Sequence, residues 1–146
     1  MQAMSTRTLA LVALAALALP ALAADPTIPV RVRILKGSRQ GPAAVDPRLA
    51  DLGAQLGKTA YLRWDQVSEQ RHDFAFKKPV DVPLPGGGVL QLTLEDARKE
   101  TVTFQVKVPA SHTSSRLTIS KDQRIVHQVT DEKGGEAYFA TVRPWP

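Results

Sequence analysis

Between Val80 and Val108 hydrophobic and polar positions alternate almost without a break. Val80, Val82 and Leu84 alternate with Asp81 and Pro83. Leu90, Leu92 and Leu94 alternate with Gln91 and Thr93. Val102, Phe104, Val106 and Val108 alternate with Thr103, Gln105 and Lys107. A period of two puts one face of each segment in a core and the other in water. The joints are Pro85-Gly86-Gly87-Gly88 and the charged stretch 95–100. Both have turn chemistry, so the region predicts a β-meander.

The same rhythm runs through the rest of the chain. Val30, Val32 and Ile34 alternate with Arg31 and Arg33, so residues 28–35 predict the first strand. Two arginines on its outer face predict a solvated or edge strand, because charge there discourages unwanted pairing. The functional alternative is a basic stripe that contacts a partner. Residues 36–45 predict a loop. Asp46-Pro47 then opens a helix over about residues 47–56: the aspartate caps free N–H groups, and proline suits the first helical position. Leu49, Leu52 and Leu56 share one face, so this helix must pack on something, most plausibly the face of a sheet. Gly57 predicts a left-handed stop.

Residues 61–67, with Tyr61, Trp64 and Val67 apolar, predict a strand or an irregular edge. Another strand holds His72, Phe74 and Phe76. Beyond a polar loop at 109–114, Leu117 and Ile119 lie in a short strand, with 124–130 as its hairpin partner. Tyr138, Ala140 and Val142 mark the last strand before Pro144-Trp145-Pro146. About eight or nine strands and one short helix predict a mainly β chain, a single β-sandwich or open-barrel domain.

The first residues are of another kind. Arg7 is followed by an unbroken Leu/Ala/Val run over 9–19, then Pro20 and the A-x-A site Ala21-Leu22-Ala23. This is the pattern of a cleaved secretory signal at 1–23, too short for a membrane span. There is no twin arginine, so the Sec route is expected, with a periplasmic or secreted product. Residues 24–29 would then be an extended or mobile leader and 30–146 the domain. Cysteine is absent, which excludes thiol catalysis, zinc-thiolate sites and disulfides; packing alone must hold the fold. Losing Arg7 with the signal leaves 18 basic against 14 acidic residues, a formal charge of about +4. That balance favours anionic envelope surfaces. The charges are scattered, with Lys77-Lys78 and Arg98-Lys99 the only neighbouring basic pairs, so nucleic acid is not the expected partner.

One resemblance is carried by four segments in order: V-R-V-R-I-L, V-D-P-R-L-A-D-L-G-A-Q-L, V-P-L-P-G-G-G-V-L-Q-L-T-L and a strand ending V-K-V. Together they resemble small exported bacterial β-rich proteins of unknown function. The resemblance covers most of the mature chain. It implies the fold and carries no activity.

Candidate chemistry is sparse. His112 sits among Ser111, Ser114 and Ser115, but there is no G-x-S-x-G elbow, and a polar loop explains the cluster. His72 and Asp73 are neighbours on a strand and point to opposite faces. His127 shares a face with Ile125 and Val129 and reads as a semi-buried structural histidine. No histidine pair has metal-ligand spacing, so no metal or cofactor is expected. Gly86 to Gly88 lacks the G-K-[ST] ending of a phosphate loop and makes a hairpin turn. Glu95, Asp96 and Glu100 around Arg98-Lys99 read as a solvated turn. Trp64, Tyr138 and Trp145 could stack on a sugar, although core use fits the first two better.

The expectation is therefore a non-enzymatic exported protein, an adaptor that binds another envelope protein. Its candidate interface residues are Arg31, Arg33 and Trp145. A binding module for an anionic or sugar polymer, such as peptidoglycan or exopolysaccharide, is the alternative; clustered exposed aromatics beside arginines would favour it. A small hydrolase comes next, and a deep pocket joining His112 or His127 to a carboxylate would favour that.

Overall fold

A computed structural model of the chain describes residues 26–146. The expected secretory signal at 1–23 lies outside them, as do the first two residues of the expected leader at 24–29. The described chain is mainly β. Its nine strands are β1 (Thr27–Ser38), β2 (Ala44–Val45), β3 (Arg63–Ala75), β4 (Pro79–Pro83), β5 (Val89–Ala97), β6 (Thr101–Val108), β7 (Thr113–Ser120), β8 (His127–Gln128) and β9 (Glu136–Pro144). They form a five-stranded sheet in the order β2-β3-β1-β9-β8 and a four-stranded sheet in the order β4-β5-β6-β7. The second sheet contains the expected meander. Gly86 and Gly87 both take positive φ at its first turn, as the glycine run requires. Among the described residues no helix is long and apolar enough to cross a membrane.

The sheets face each other across a shared apolar core. Val30, Val32, Ile34, Phe74, Ala140 and Val142 come from one side. Leu90, Leu92, Leu94, Val102, Phe104, Val106 and Ile119 come from the other. Phe74 and Phe104 meet edge to face across the gap, with ring centroids 5.3 Å apart. The arrangement is an open, sandwich-like fold.

A second core lies on the far side of the five-stranded sheet. The helix is 3-10 over Pro47–Leu52 and α over Gly53–Leu56. It buries Leu49, Leu52 and Leu56 against Leu35, Tyr61, Trp64, Ala137 and Phe139. The leucine stripe therefore docks on a sheet face, as its spacing requires. Asp46 caps as expected, its side chain accepting from Arg48 N at 3.0 Å. It also accepts from Gln66 N of β3 at 3.1 Å, which ties the cap to the sheet. These N–H groups, and above all the Arg48 guanidinium, hold the Asp46 carboxyl well below the usual carboxylate range. Gly57 departs from expectation: its φ is −66°, so the helix ends without a left-handed residue. Thr59 Oγ1 donates instead to Leu56 O at 2.9 Å, satisfying a terminal carbonyl.

Four expectations are corrected. β1 is not a solvated or edge strand. It pairs with β3 on one side and β9 on the other, and it is covered on both faces. The segments at 61–67 and 72–77 are not two strands: Arg63–Ala75 is one, with a bulge where Ile34 faces Ser68 and Leu35 faces Gln66. Val67 is the extra residue. It switches the phase so that Trp64 and Gln66, rather than Asp65 and Val67, lie on the helix side. The stretch at 36–45 is only partly loop, since β1 runs on to Ser38 and Ala44–Val45 pairs in parallel with β3. Finally, 124–130 does not pair with β7. Its only strand residues, His127 and Gln128, pair with β9, so the chain changes sheets there.

Gly37 lies where the sheet passes beneath the aromatic cluster. A Cβ at this position would sit 3.1 Å from ring atoms of Phe139, Trp64 and Tyr61 at once. Three packed rings cannot all give way, so Gly37→Ala is expected to cost about 1–3 kcal/mol. Urea unfolding followed by tryptophan emission measures this, and a loss below about 0.5 kcal/mol, the range of an indifferent surface change, would mean that the rings yield freely.

Candidate functional site

The helix side of the five-stranded sheet carries the main charge feature. Arg31 and Arg33, two apart on β1, share this side, but their environments differ. Arg33 is only 2% exposed. Its guanidinium grips Asp51 in a two-pronged bond, Nη1 to Oδ1 at 3.0 Å and Nη2 to Oδ2 at 2.7 Å, and donates to Arg48 O at 3.2 Å. Arg33 is therefore an anchor beneath the helix and not a free surface group, which corrects the expectation of a solvated pair. The Arg33 guanidinium in turn lowers the Asp51 carboxyl from its ordinary value.

Arg31 is half-buried. In register it lies opposite Arg71 on β3 and opposite Arg143 on β9. Three arginines thus stand side by side across three adjacent strands. Directly opposed residues have Cβ atoms about 4.5–5.5 Å apart, and like charges there destabilise the sheet. Arg124 joins the same side from the coil before β8: Val126 packs on the helix-side core and Ile125 on the core between the sheets. Its Nε lies 3.8 Å from Asp51 Oδ2.

The compensation is incomplete. Arg31 Nε is 2.5 Å from Glu69 Oε1, an ionic contact rather than a well-aligned hydrogen bond. Among the described residues neither Arg71 nor Arg143 has a carboxylate within ion-pair distance. Arg143 Nε and Arg124 Nη1 are buried with no hydrogen-bond partner. Buried donors without acceptors are uncommon, and each calls for an explanation. The arrangement can offer several guanidinium donors to one anionic surface.

Trp145 does not belong to this face. Its φ of +48° turns the chain back, its N donates to Pro29 O at 2.9 Å, and its side chain packs partly on the core between the sheets. Trp64 is fully buried with Tyr61 and Phe139, and Tyr138 packs on the core between the sheets. These aromatic rings serve packing.

The histidines are dispersed. His72 bonds Gln70 Oε1 at 2.8 Å, and His112 is exposed with a left-handed φ of 53°. His127 lies on the open side of the sandwich, in a cleft of about 280 Å³ lined by Val106, Val108, Ser115, Val129 and Asp131 among others. Its Nε2 is 3.2 Å from Ser115 Oγ, and burial lowers its pKa, which favours the neutral ring. A serine beside a neutral imidazole is the beginning of a nucleophile-base pair. Among the described residues no carboxylate bonds this imidazole to orient it. No group of His, Asp and Glu among them could hold a metal.

Sequence reasoning singled out Arg31 but missed Arg71, Arg124 and Arg143. The only local signal was arginine recurring on strands, because their alignment depends on the register between distant segments. Comparison with protein-family models, curated proteins and solved structures gives no match to this chain.

Proposed function

We propose that this protein is an exported, non-catalytic binding subunit that docks an acidic surface of another envelope protein on the arginines of its five-stranded sheet. The observation that carries the reading is the cross-strand row Arg71–Arg31–Arg143. Such a row costs stability in the free protein, and an anionic partner would offset that cost. A guanidinium matches a carboxylate in two-pronged fashion, and several together give both orientation and rate of encounter. The sugar-polymer alternative draws less support, because Tyr61, Trp64 and Phe139 are buried together away from solvent. The hydrolase alternative rests on the Ser115–His127 contact alone.

The test uses polyglutamate as the acidic probe and melting temperature as the readout. The double variant Arg71→Gln/Arg143→Gln removes two of the three opposed charges. Alone it is expected to be more stable than the parent, by a few tenths to about 1 kcal/mol. It is also expected to lose most of the stabilisation that polyglutamate gives the parent at low salt. A variant that is less stable, or that responds to polyglutamate as the parent does, would overturn the reading.

A further inference from the structure

The two sheets have four outer edges, and three are blunted. β8 is two residues long; β2 is equally short and pairs only with Arg63 and Trp64, so the rest of that edge is β3 itself, which is bulged at Val67 and carries Glu69, Arg71 and Asp73. β4 begins and ends with proline, at Pro79 and Pro83, and holds Asp81 between them. Short edges, prolines and charges are the usual means of keeping an edge from pairing with another chain. β7 differs. It is eight residues long, contains neither proline nor glycine, and pairs only with β6. Among the described residues no other main-chain hydrogen bond reaches 113–119. Its free edge borders the cleft that Thr113, Ser114 and Ser115 share with His127 and Gln128.

We infer that β7 is a strand-addition site for an extended, acidic segment of a partner protein. The residues of β7 set what such a strand must carry. Ser115, Leu117 and Ile119 face inward, opposite Val106, Phe104 and Val102 of β6. An added strand would place small apolar side chains beside them. On the outer side Arg116 lies opposite Gln105, and Lys107 lies opposite Ser114, so Arg116 and Lys107 are diagonal neighbours. Both are exposed, and neither has an ion-pair partner among the described residues. An acidic residue opposite Arg116 on the added strand would meet it directly, and Lys107, one strand further in on β6, would add a longer-range attraction.

The same arginine argues against a second copy as the occupant. Antiparallel pairing of β7 with itself must keep inward residues opposite inward ones. The two central registers place Arg116 either directly opposite its symmetry mate or diagonal to it. Like charges so placed are unfavourable, so Arg116 discourages self-pairing while attracting an acidic strand.

The inference is independent of the arginine row on the other sheet, and the test separates them. The probes are labelled nine-residue peptides, one alternating glutamate with valine and one alternating lysine with valine. Fluorescence anisotropy measures binding to the full chain, and amide hydrogen exchange locates it. The acidic peptide is expected to bind and to slow exchange in 113–120. Arg116→Glu should weaken it by about tenfold or more and should favour the lysine peptide, while Arg71→Gln/Arg143→Gln should leave protection of β7 unchanged. Absence of binding, protection on β1 and β9 instead of β7, or an Arg116→Glu chain that binds the acidic peptide like the parent would each overturn the proposal. A parent chain that dimerises through β7 in light scattering would overturn it in favour of self-pairing.

Discussion

Leu52→Ala is expected to cost roughly 2–5 kcal/mol, the range for emptying a fully buried leucine site. Leu52 has no exposed surface and lies among Leu35, Leu49, Leu56 and the aromatic cluster. The helix that carries it is short and mostly 3-10, too brief to be stable alone. Its order therefore depends on docking, and a cavity beneath it weakens the whole cap over the sheet. Urea unfolding gives the cost. The two tryptophans make it local, because Trp64 reports on the helix-side core and Trp145 on the core between the sheets. A variant that unfolds with the parent's midpoint would mean that the helix adds nothing to stability.

The second large effect is an asymmetry. Asp51→Ala leaves the Arg33 guanidinium buried with no carboxylate, and removing one partner of a buried pair costs about 3–5 kcal/mol. Asp51 is itself partly exposed, with 35% of its side chain open to solvent, so it can be hydrated if Arg33 is lost. Arg33→Met fills the site with an apolar chain and leaves a carboxylate that water can reach. Its expected cost is under about 1.5 kcal/mol. Equal losses in the two variants would show that the ion pair, rather than desolvation of Arg33, dominates. The same pair contributes to acid sensitivity. Because Arg33 lowers the folded-state pKa of Asp51, the stabilisation is complete above the unfolded-state value and disappears as pH falls through the folded one.

The parts of the fold that were legible depend on neighbours in sequence. The meander follows from alternation at 80–108 and the glycines between its strands. The helix follows from Asp46-Pro47 and three spaced leucines. What failed depends on tertiary placement. Alternation on β1 implied one wet face, yet the helix covers Leu35 and Arg33 there, so an arginine that looked solvated is an anchor. The bulge at Val67 broke the phase of β3 and made one strand look like two. The switch of 127–128 to the other sheet cannot be read from the turn at 121–123. The candidate face was half visible: Arg31 stood out, while Arg71 and Arg143 joined it only through register.

The pairing of β1 with β9 joins Val30 to Pro144 and Ser38 to Glu136. Among the described residues the first strand is thus closed by the last. Contacts so far apart in sequence carry a large loop-closure cost and slow the folding of β-rich domains. Until Glu136–Pro144 has been made, one side of β1 is an open hydrogen-bonding edge beside a bare apolar face. Such an edge is the hazard that chaperones shield while a chain is incompletely folded, so β1 needs protection over the interval between its own appearance and that of β9.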